Sequence, residues 1–205
     1  MNVQAKADYK EILQAMSPLL KNHGFKKKGE YFAKAVEHNF QVICFKTCPR
    51  IDELLLTIDV ATCSGAVLSL FRAAKGLPQS RTVGFPAIQE CQIRQRIGHL
   101  MPEHKDKWWE VPDGADLTAI EEELFYSLVQ YAFPFLEKHI SDVQIRDYLL
   151  TQGTNAPIPA ANLIVLLNTV GPTDKLPAVL NEARKNWGLS AYIQMFDDMQ
   201  LNTSA

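Results

Sequence analysis

The adjacent tryptophans Trp108 and Trp109 are the side chains best suited to contact another molecule. They lie in a short apolar segment that ends at the Pro-Asp-Gly turn of residues 112–114, so we interpret the segment as a strand. Because neighbouring residues of a strand face opposite sides, one indole is expected in the core and the other on the surface or in a groove. An exposed tryptophan often anchors a partner, although a loop or helix could also cover it. We therefore predict a binding surface around this pair.

Three basic residues, Lys46, Arg94 and Arg96, lie on segments that we predict to be strands. Arg94 and Arg96 are two residues apart, so they share one face of their strand, opposite Cys91, Ile93 and Ile97. With Lys46 they are the candidates for holding an anion on a basic sheet face. The run Lys26–Lys28 is predicted to be a short charged turn. It would either grip an anion, helped by the arginines if their strand face lies near, or keep a hairpin in solution.

The sequence contains no recognisable catalytic motif. A nucleophile elbow, a phosphate-binding loop, a dinucleotide glycine fingerprint and a His-Glu-x-x-His pair are all missing. Cys44 and Cys48 form one close pair, but the second close pair that structural zinc sites normally have does not follow. His99 and His104 lie in a polar stretch that we interpret as a loop. We predict no catalytic residue, no metal and no cofactor, although a dispersed active site would leave no motif.

Composition narrows the class of protein further. The chain has 205 residues, of which 47% are hydrophobic and 21% charged, so we expect one globular domain or one domain with an appendage. A net charge of −2 argues against a general nucleic-acid binder. No apolar run approaches the roughly 18 residues of a membrane helix, and residues 1–6 do not resemble a signal peptide. We expect a soluble protein of the reducing cytoplasm, with free thiols.

Periodicity predicts an α+β fold. An antiparallel sheet of about four or five strands should pack on an N-terminal helix and a long helix, and a small all-helical C-terminal region should follow. We place the boundary between the α+β domain (1–140) and the helical appendage (141–205) where Gly and Pro begin to separate short helices. The predicted strands are 30–36, 40–47, 54–61 and 91–97, and the predicted helices are 4–22, 64–75, 116–139, 142–151, 159–169, 173–186 and 190–200.

A series of short motifs gives the chain a family resemblance. In order, they are Gly24-Phe25-Lys26-Lys27-Lys28-Gly29, Tyr31-Phe32, Gln41-Val42-Ile43-Cys44-Phe45, Arg96-Ile97-Gly98, Trp108-Trp109 and Phe133-Pro134-Phe135-Leu136-Glu137-Lys138. Over about residues 5–140 the chain resembles the bacterial domain-of-unknown-function family 4304. The resemblance implies an α+β fold and supplies no catalytic residues, because the family is uncharacterised. Some small α+β families of this kind act as immunity or antitoxin-like partners, which is an analogy of class.

These observations favour a non-catalytic cytoplasmic protein-interaction module, of an immunity or regulatory type. The alternative is an enzyme or a binder of a small anionic molecule at the basic sheet face. A deep pocket lined by the basic residues would favour the alternative, and a flat apolar patch around Trp109 would favour the module. A homodimer formed through the C-terminal helices is a third hypothesis. Charge is also divided, with +6 on residues 1–100 and −8 on residues 101–205, so the halves attract each other or the basic half faces an anionic ligand.

Overall fold

The computed structural model describes residues 3–74, 84–152 and 157–187. Its centre is a six-stranded antiparallel sheet in the order β1-β2-β3-β4-β5, with β6 paired to the other end of β4. The α+β class is therefore confirmed. The strands are β1 (Lys26–Lys28), β2 (Tyr31–Val36), β3 (Asn39–Pro49), β4 (Glu53–Cys63), β5 (Ile93–Arg96) and β6 (Trp109–Pro112).

The helices follow the predicted order. Thr118–Ser127, a π turn at Leu128–Ala132 and Phe133–Lys138 follow one another directly and make up the predicted long helix. Residues 76–86, which their two Pro and two Gly predict to be a loop, lie partly outside the described residues, and the predicted helix 190–200 lies outside them entirely. The helices are α1 (Val3–Asn22), α2 (Gly65–Ala74), α3 (Thr118–Ser127), α4 (Phe133–Lys138), α5 (Asp142–Gln152), α6 (Pro157–Val170) and α7 (Leu176–Trp187).

The run Lys26–Lys28 was predicted as a turn, and this prediction is wrong. It forms the edge strand β1, in which Lys27 lies opposite Phe32. The turn itself falls one residue later, at Gly29, whose φ of 63° suits glycine. A strand at the sheet edge has a neighbour on one side only, so three successive lysines can all remain in water.

The first hydrophobic core lies between one face of the sheet and the helices α1, α3 and α4. Alternation in β4 directs Leu54, Leu56, Ile58 and Val60 to this face, as predicted. Pro18 lies inside α1, which continues to Asn22. The buried side chains of this core include Tyr9, Ile12, Met16, Leu20, Phe32, Ile43, Phe45, Trp109, Leu124 and Leu128.

The long helix changes geometry ahead of Pro134, a residue type that is expected to bend a helix. Proline has no N–H, so it cannot donate the bond that an α-helix would send to Gln130. The preceding turn widens to a π turn, in which Phe133 N donates to Leu128 O. The helical turns thus follow one another without interruption through Pro134 to Lys138.

The second core joins α5, α6 and α7 to α2 and β5. The middle of helix α6 is enclosed on all sides, since every residue from Leu163 to Leu167 is buried. Val67 of α2 and Ile93 of β5 belong to the same cluster, and Phe135 of α4 packs against both cores. The boundary proposed at residue 140 stays a prediction, because the second core takes in residues from both sides of it. Among the described residues no helix is both long and apolar enough to cross a membrane.

His139 lies at this junction. Its Nδ1–H donates to the carbonyl of Phe135 at 2.8 Å, and its ring stands edge-on to Tyr148 with the centroids 5.0 Å apart. Tyr148 in turn accepts a hydrogen bond from Gln95 of β5. Burial lowers the pKa of His139, and the bond to Phe135 opposes that shift only in part.

We predict that Leu166→Ala lowers the free energy of unfolding by about 2–5 kcal/mol, because it removes buried methyl groups and leaves a cavity. Ile158→Ala on the same helix is the matched control, since Ile158 is 62% exposed, and should change it by less than about 0.5 kcal/mol. Urea unfolding followed by circular dichroism measures both. Equal small effects would show that α6 does not pack as described.

We predict that His139 makes the free energy of unfolding decrease as the pH is lowered. Its pKa in the folded chain is lowered, so the unfolded chain binds the proton more readily. The stabilisation is complete above the unfolded pKa of about 6.5 and is lost as the pH falls below it. His139→Gln should reduce the slope of unfolding free energy between about pH 7.5 and 5. The exposed His38 provides the control, and His38→Gln should keep the wild-type slope. An unchanged slope in His139→Gln would contradict the prediction.

Candidate functional site

The second face of the sheet is covered at one end and reaches solvent at the other. Residues 84–91 cover Ala33, Val42 and Ala61, with Ile88 at the centre of the contact. Arg72 of α2 fixes this segment, because its Nε and Nη2 bind Glu90 and its Nη1 donates to Gly84 O. Toward the β3–β4 turn the face carries side chains that reach water. We call this part the open patch. It consists of one buried residue, Asp59, and of residues that reach water around it: Lys46, Cys48, Arg96, Trp108 and Glu110.

A buried carboxylate organises the open patch. Asp59 is opposite Arg96 of β5 in the sheet register. On β3 it is opposite Cys44, and Lys46 lies two residues further along that strand on the same face. Asp59 is 3% exposed. Its Oδ2 lies 2.6 Å from Lys46 Nζ, and its Oδ1 lies 3.4 Å from Arg96 Nε. A buried charge is costly unless it is paired, so Asp59 holds both cations at defined positions.

Arg96 and Trp108 are locked together at the surface by Asp106. Arg96 Nη1 donates to both oxygens of Asp106, at 3.0 and 2.8 Å, and Trp108 Nε1 donates to Oδ2 at 2.9 Å. The guanidinium carbon lies 4.9 Å from the centroid of the indole. Burial alone would lower the pKa of Arg96, but Asp106 and Asp59 together raise it above its ordinary value. The result is a fixed cation stacked on a fixed, half-buried indole.

Close packing of the loop between Ile97 and Trp108 brings Asp106 to this position. A Cβ at Gly98 would lie 2.2 Å from Lys105 O and 2.4 Å from Lys107 N, so only glycine fits where the loop crosses. Thr57 Oγ1 donates to Lys107 O, which ties the loop to β4. His99 and His104 bind each other's carbonyl through Nδ1, and within the described ranges no three His, Cys, Asp or Glu side chains are placed to hold a metal.

The predicted site residues divide into two groups. Lys46, Arg96 and Trp108 come together, and Arg94 lies exposed on the same face, opposite Ala61. Trp109 faces the other way and is 3% exposed in the first core, where Lys107 Nζ lies 5.4 Å from its ring centroid. Among the described residues, Trp109 is therefore part of the core and not the centre of an exposed apolar patch. Lys26–Lys28 lies at the opposite sheet edge from both arginines, so the arginines do not assist it.

Sequence reasoning did not assign the two carboxylates that build the patch. From the sequence alone Asp59, in one strand, and Glu90, just before another, could face a common cleft, but Glu90 binds Arg72 and Asp59 binds Lys46 and Arg96. The signal that could have found Asp59 is a lone acidic residue between apolar neighbours in β4. Asp106 gave no such signal, because its role depends on how the loop crosses Gly98.

Nucleophilic chemistry by Cys44, which lies beside the open patch, meets a physical obstacle. Cys44 lies opposite Asp59 in the sheet register, but burial, reinforced by the charges of Asp59 and Glu30, raises the pKa of its thiol to about 11. Lys46 opposes this shift without reversing it. A thiol of that pKa is protonated at neutral pH and is a poor nucleophile.

Comparison with known proteins identifies the family. A family model described as Domain of unknown function (DUF4304) matches residues 16–138, which is more than half of the chain. The chain belongs to this family, as the resemblance predicted. The match takes in all six strands and the open patch, and it ends before α5. No curated protein and no solved structure matches the chain.

We predict that Asp59→Asn costs about 1–3 kcal/mol of unfolding free energy. The change leaves two cations without their shared carboxylate, and their partial exposure keeps the loss below that of a fully buried pair. Glu53→Gln is the matched control, because it breaks the exposed pair of Glu53 with Arg50 and should cost less than about 1 kcal/mol. Chemical denaturation of both variants measures the difference. Equal losses would show that Asp59 does not organise the sheet.

Proposed function

We propose that this chain is a non-catalytic protein-interaction module of the bacterial cytoplasm, acting as an immunity-type or regulatory partner. The open patch is its docking surface. The observation that carries this proposal is the pair Trp108 and Arg96, held rigidly at the surface by Asp106 and by the buried Asp59. The free cysteines of the chain agree with a reducing compartment.

The residue types of the open patch fit a protein partner. Tryptophan and arginine are enriched among the residues that dominate binding energy at interfaces. Trp108 and Arg96 are already fixed by hydrogen bonds, so little side-chain freedom is lost when a partner docks. Asp106 and Glu110 supply a polar rim of opposite charge. A flat sheet face with fixed anchors and a mixed rim suits a folded surface.

Unused donors define the chemistry of the partner. Arg96 uses Nε and Nη1, and in the described chain its Nη2 has no acceptor. Lys46 contacts one carboxylate and is 33% exposed. Arg94 is exposed beside them. The partner therefore presents a carboxylate to these donors and a flat or apolar side chain to the Trp108 indole.

A binder of a small anion is the weaker alternative at the same face. Lys46 and Arg96 are already paired with Asp59 and Asp106, so an incoming anion would compete with two resident carboxylates. Arg94 alone contributes a cation that is not in these pairs. A protein with several contacts can bind such a neutralised surface through the indole, whereas a small anion depends on net charge.

Binding assays with matched variants test this function. Wild type, Trp108→Ala, Arg96→Lys and the control Phe125→Ala serve as baits for proteins of the native host, and each retained protein is then purified and titrated by calorimetry. Phe125 is 48% exposed on α3, away from the patch. We expect a partner whose affinity falls at least about 30-fold with Trp108→Ala and stays within about threefold with Phe125→Ala.

The same variants separate the other hypotheses. If light scattering shows a homodimer that Trp108→Ala dissociates, the partner is a second copy of the chain. Inorganic phosphate that binds wild type and not Arg96→Lys would favour the anion binder. The module proposal fails if every retained protein binds Trp108→Ala and Arg96→Lys as tightly as wild type. Circular dichroism verifies that each variant is folded.

A further inference from the structure

The sheet edge at β1 carries unpaired positive charge. Lys26, Lys27 and Lys28 are all exposed, and Lys34 of the neighbouring strand lies beside them. In the described chain none of these four ammonium groups lies within ion-pair distance of a carboxylate. Three of the four instead lie over aromatic rings: Lys27 over Phe32 at 5.7 Å, Lys28 over Tyr31 at 5.9 Å and Lys34 over Phe25 at 5.9 Å.

The backbone of β1 offers hydrogen bonds in the same place. Among the strands of the described residues, β1 ends the order and pairs with β2 alone. In an antiparallel pair only alternate residues bond to the neighbouring strand, so the other N–H and C=O groups of β1 point away from the sheet. An open strand edge of this kind can accept one further strand.

We propose that an acidic, extended segment of a partner protein adds to the sheet along β1. Lysines protect an edge against most strands, because a second copy of β1 would be repelled and an uncharged strand would have to dehydrate the ammonium groups. A strand with carboxylates gains cross-strand ion pairs at the same positions. The edge therefore selects for acidic sequence and for extended backbone together.

The aromatic rings beneath the lysines distinguish this ligand from a nucleic acid. Phe25 and Phe32 are 3% and 0% exposed, so neither offers a ring face on which a base could stack, and of the three rings only the half-buried Tyr31, with Lys28 Nζ over it, remains. The outward groups of the backbone, by contrast, match the spacing of a polypeptide. This site lies at the opposite edge of the sheet from β5 and β6, so it is separate from the open patch.

A defined peptide tests the proposal. The probe is a fluorescein-labelled peptide of eight residues in which Glu and Thr alternate, and fluorescence anisotropy measures its affinity. We expect Lys26→Glu/Lys28→Glu to weaken binding at least about tenfold. Lys6→Glu/Lys10→Glu on the exposed face of α1 makes the same change in net charge and should alter affinity less than about threefold.

Two further measurements separate strand addition from simple charge attraction. The same peptide N-methylated at every residue should bind at least about tenfold more weakly, because neither of its edges can then donate ladder hydrogen bonds. Trp108→Ala should bind the probe like wild type, which keeps this test independent of the open patch. Equal binding of the methylated peptide, equal loss in both lysine variants, or a dissociation constant above about 1 mM for the probe would overturn the proposal.

Discussion

Strand β4 is hydrogen-bonded to three other strands, and the rest of the fold depends on this pairing. It pairs with β3 along nearly its whole length, while β5 and β6 share its other edge. A one-residue slip would move the apolar residues of β4 to the open face and bring Asp59 into the first core. Because a buried carboxylate needs its cations, the register also fixes Lys46 and Arg96. Fold and candidate site are thus specified by one set of backbone bonds.

Local patterns predicted the fold well, and tertiary contacts explain what they missed. Alternation in β4 and helical periodicity in α1 are properties of single segments, so the sequence was sufficient for them. Whether Lys26–Lys28 is a turn or a strand depends on the arrival of β2 beside it, which no short pattern reveals. The pairing of Arg96 with Asp106 likewise requires the loop to cross at Gly98. Alternation predicted that one tryptophan would be buried, but only the sheet register shows that it is Trp109.

Among the described residues, ion pairs between the basic half (1–100) and the acidic half (101–205) are rare. Among the ion pairs of the described residues, only Arg96 with Asp106 joins the basic half to the acidic half. The other described pairs join residues within one half, such as Arg72 with Glu90 and Lys107 with Glu123. Much of the positive charge of the first half therefore remains at the surface, where it raises the rate of encounter with acidic molecules at low salt.

The tight crossing at Gly98 makes the open patch vulnerable from a distance. Any side chain there would push the loop from Lys105 to Lys107 outward. Asp106 would move with it, away from the guanidinium of Arg96 and the indole of Trp108. The same shift would reach the first core, because Ile97 and Trp109, which flank the loop, are both buried in it. If the open patch is the docking surface that we propose, a substitution at the buried Gly98 would weaken binding although Gly98 is not itself a contact residue, and a survey confined to surface positions would overlook it.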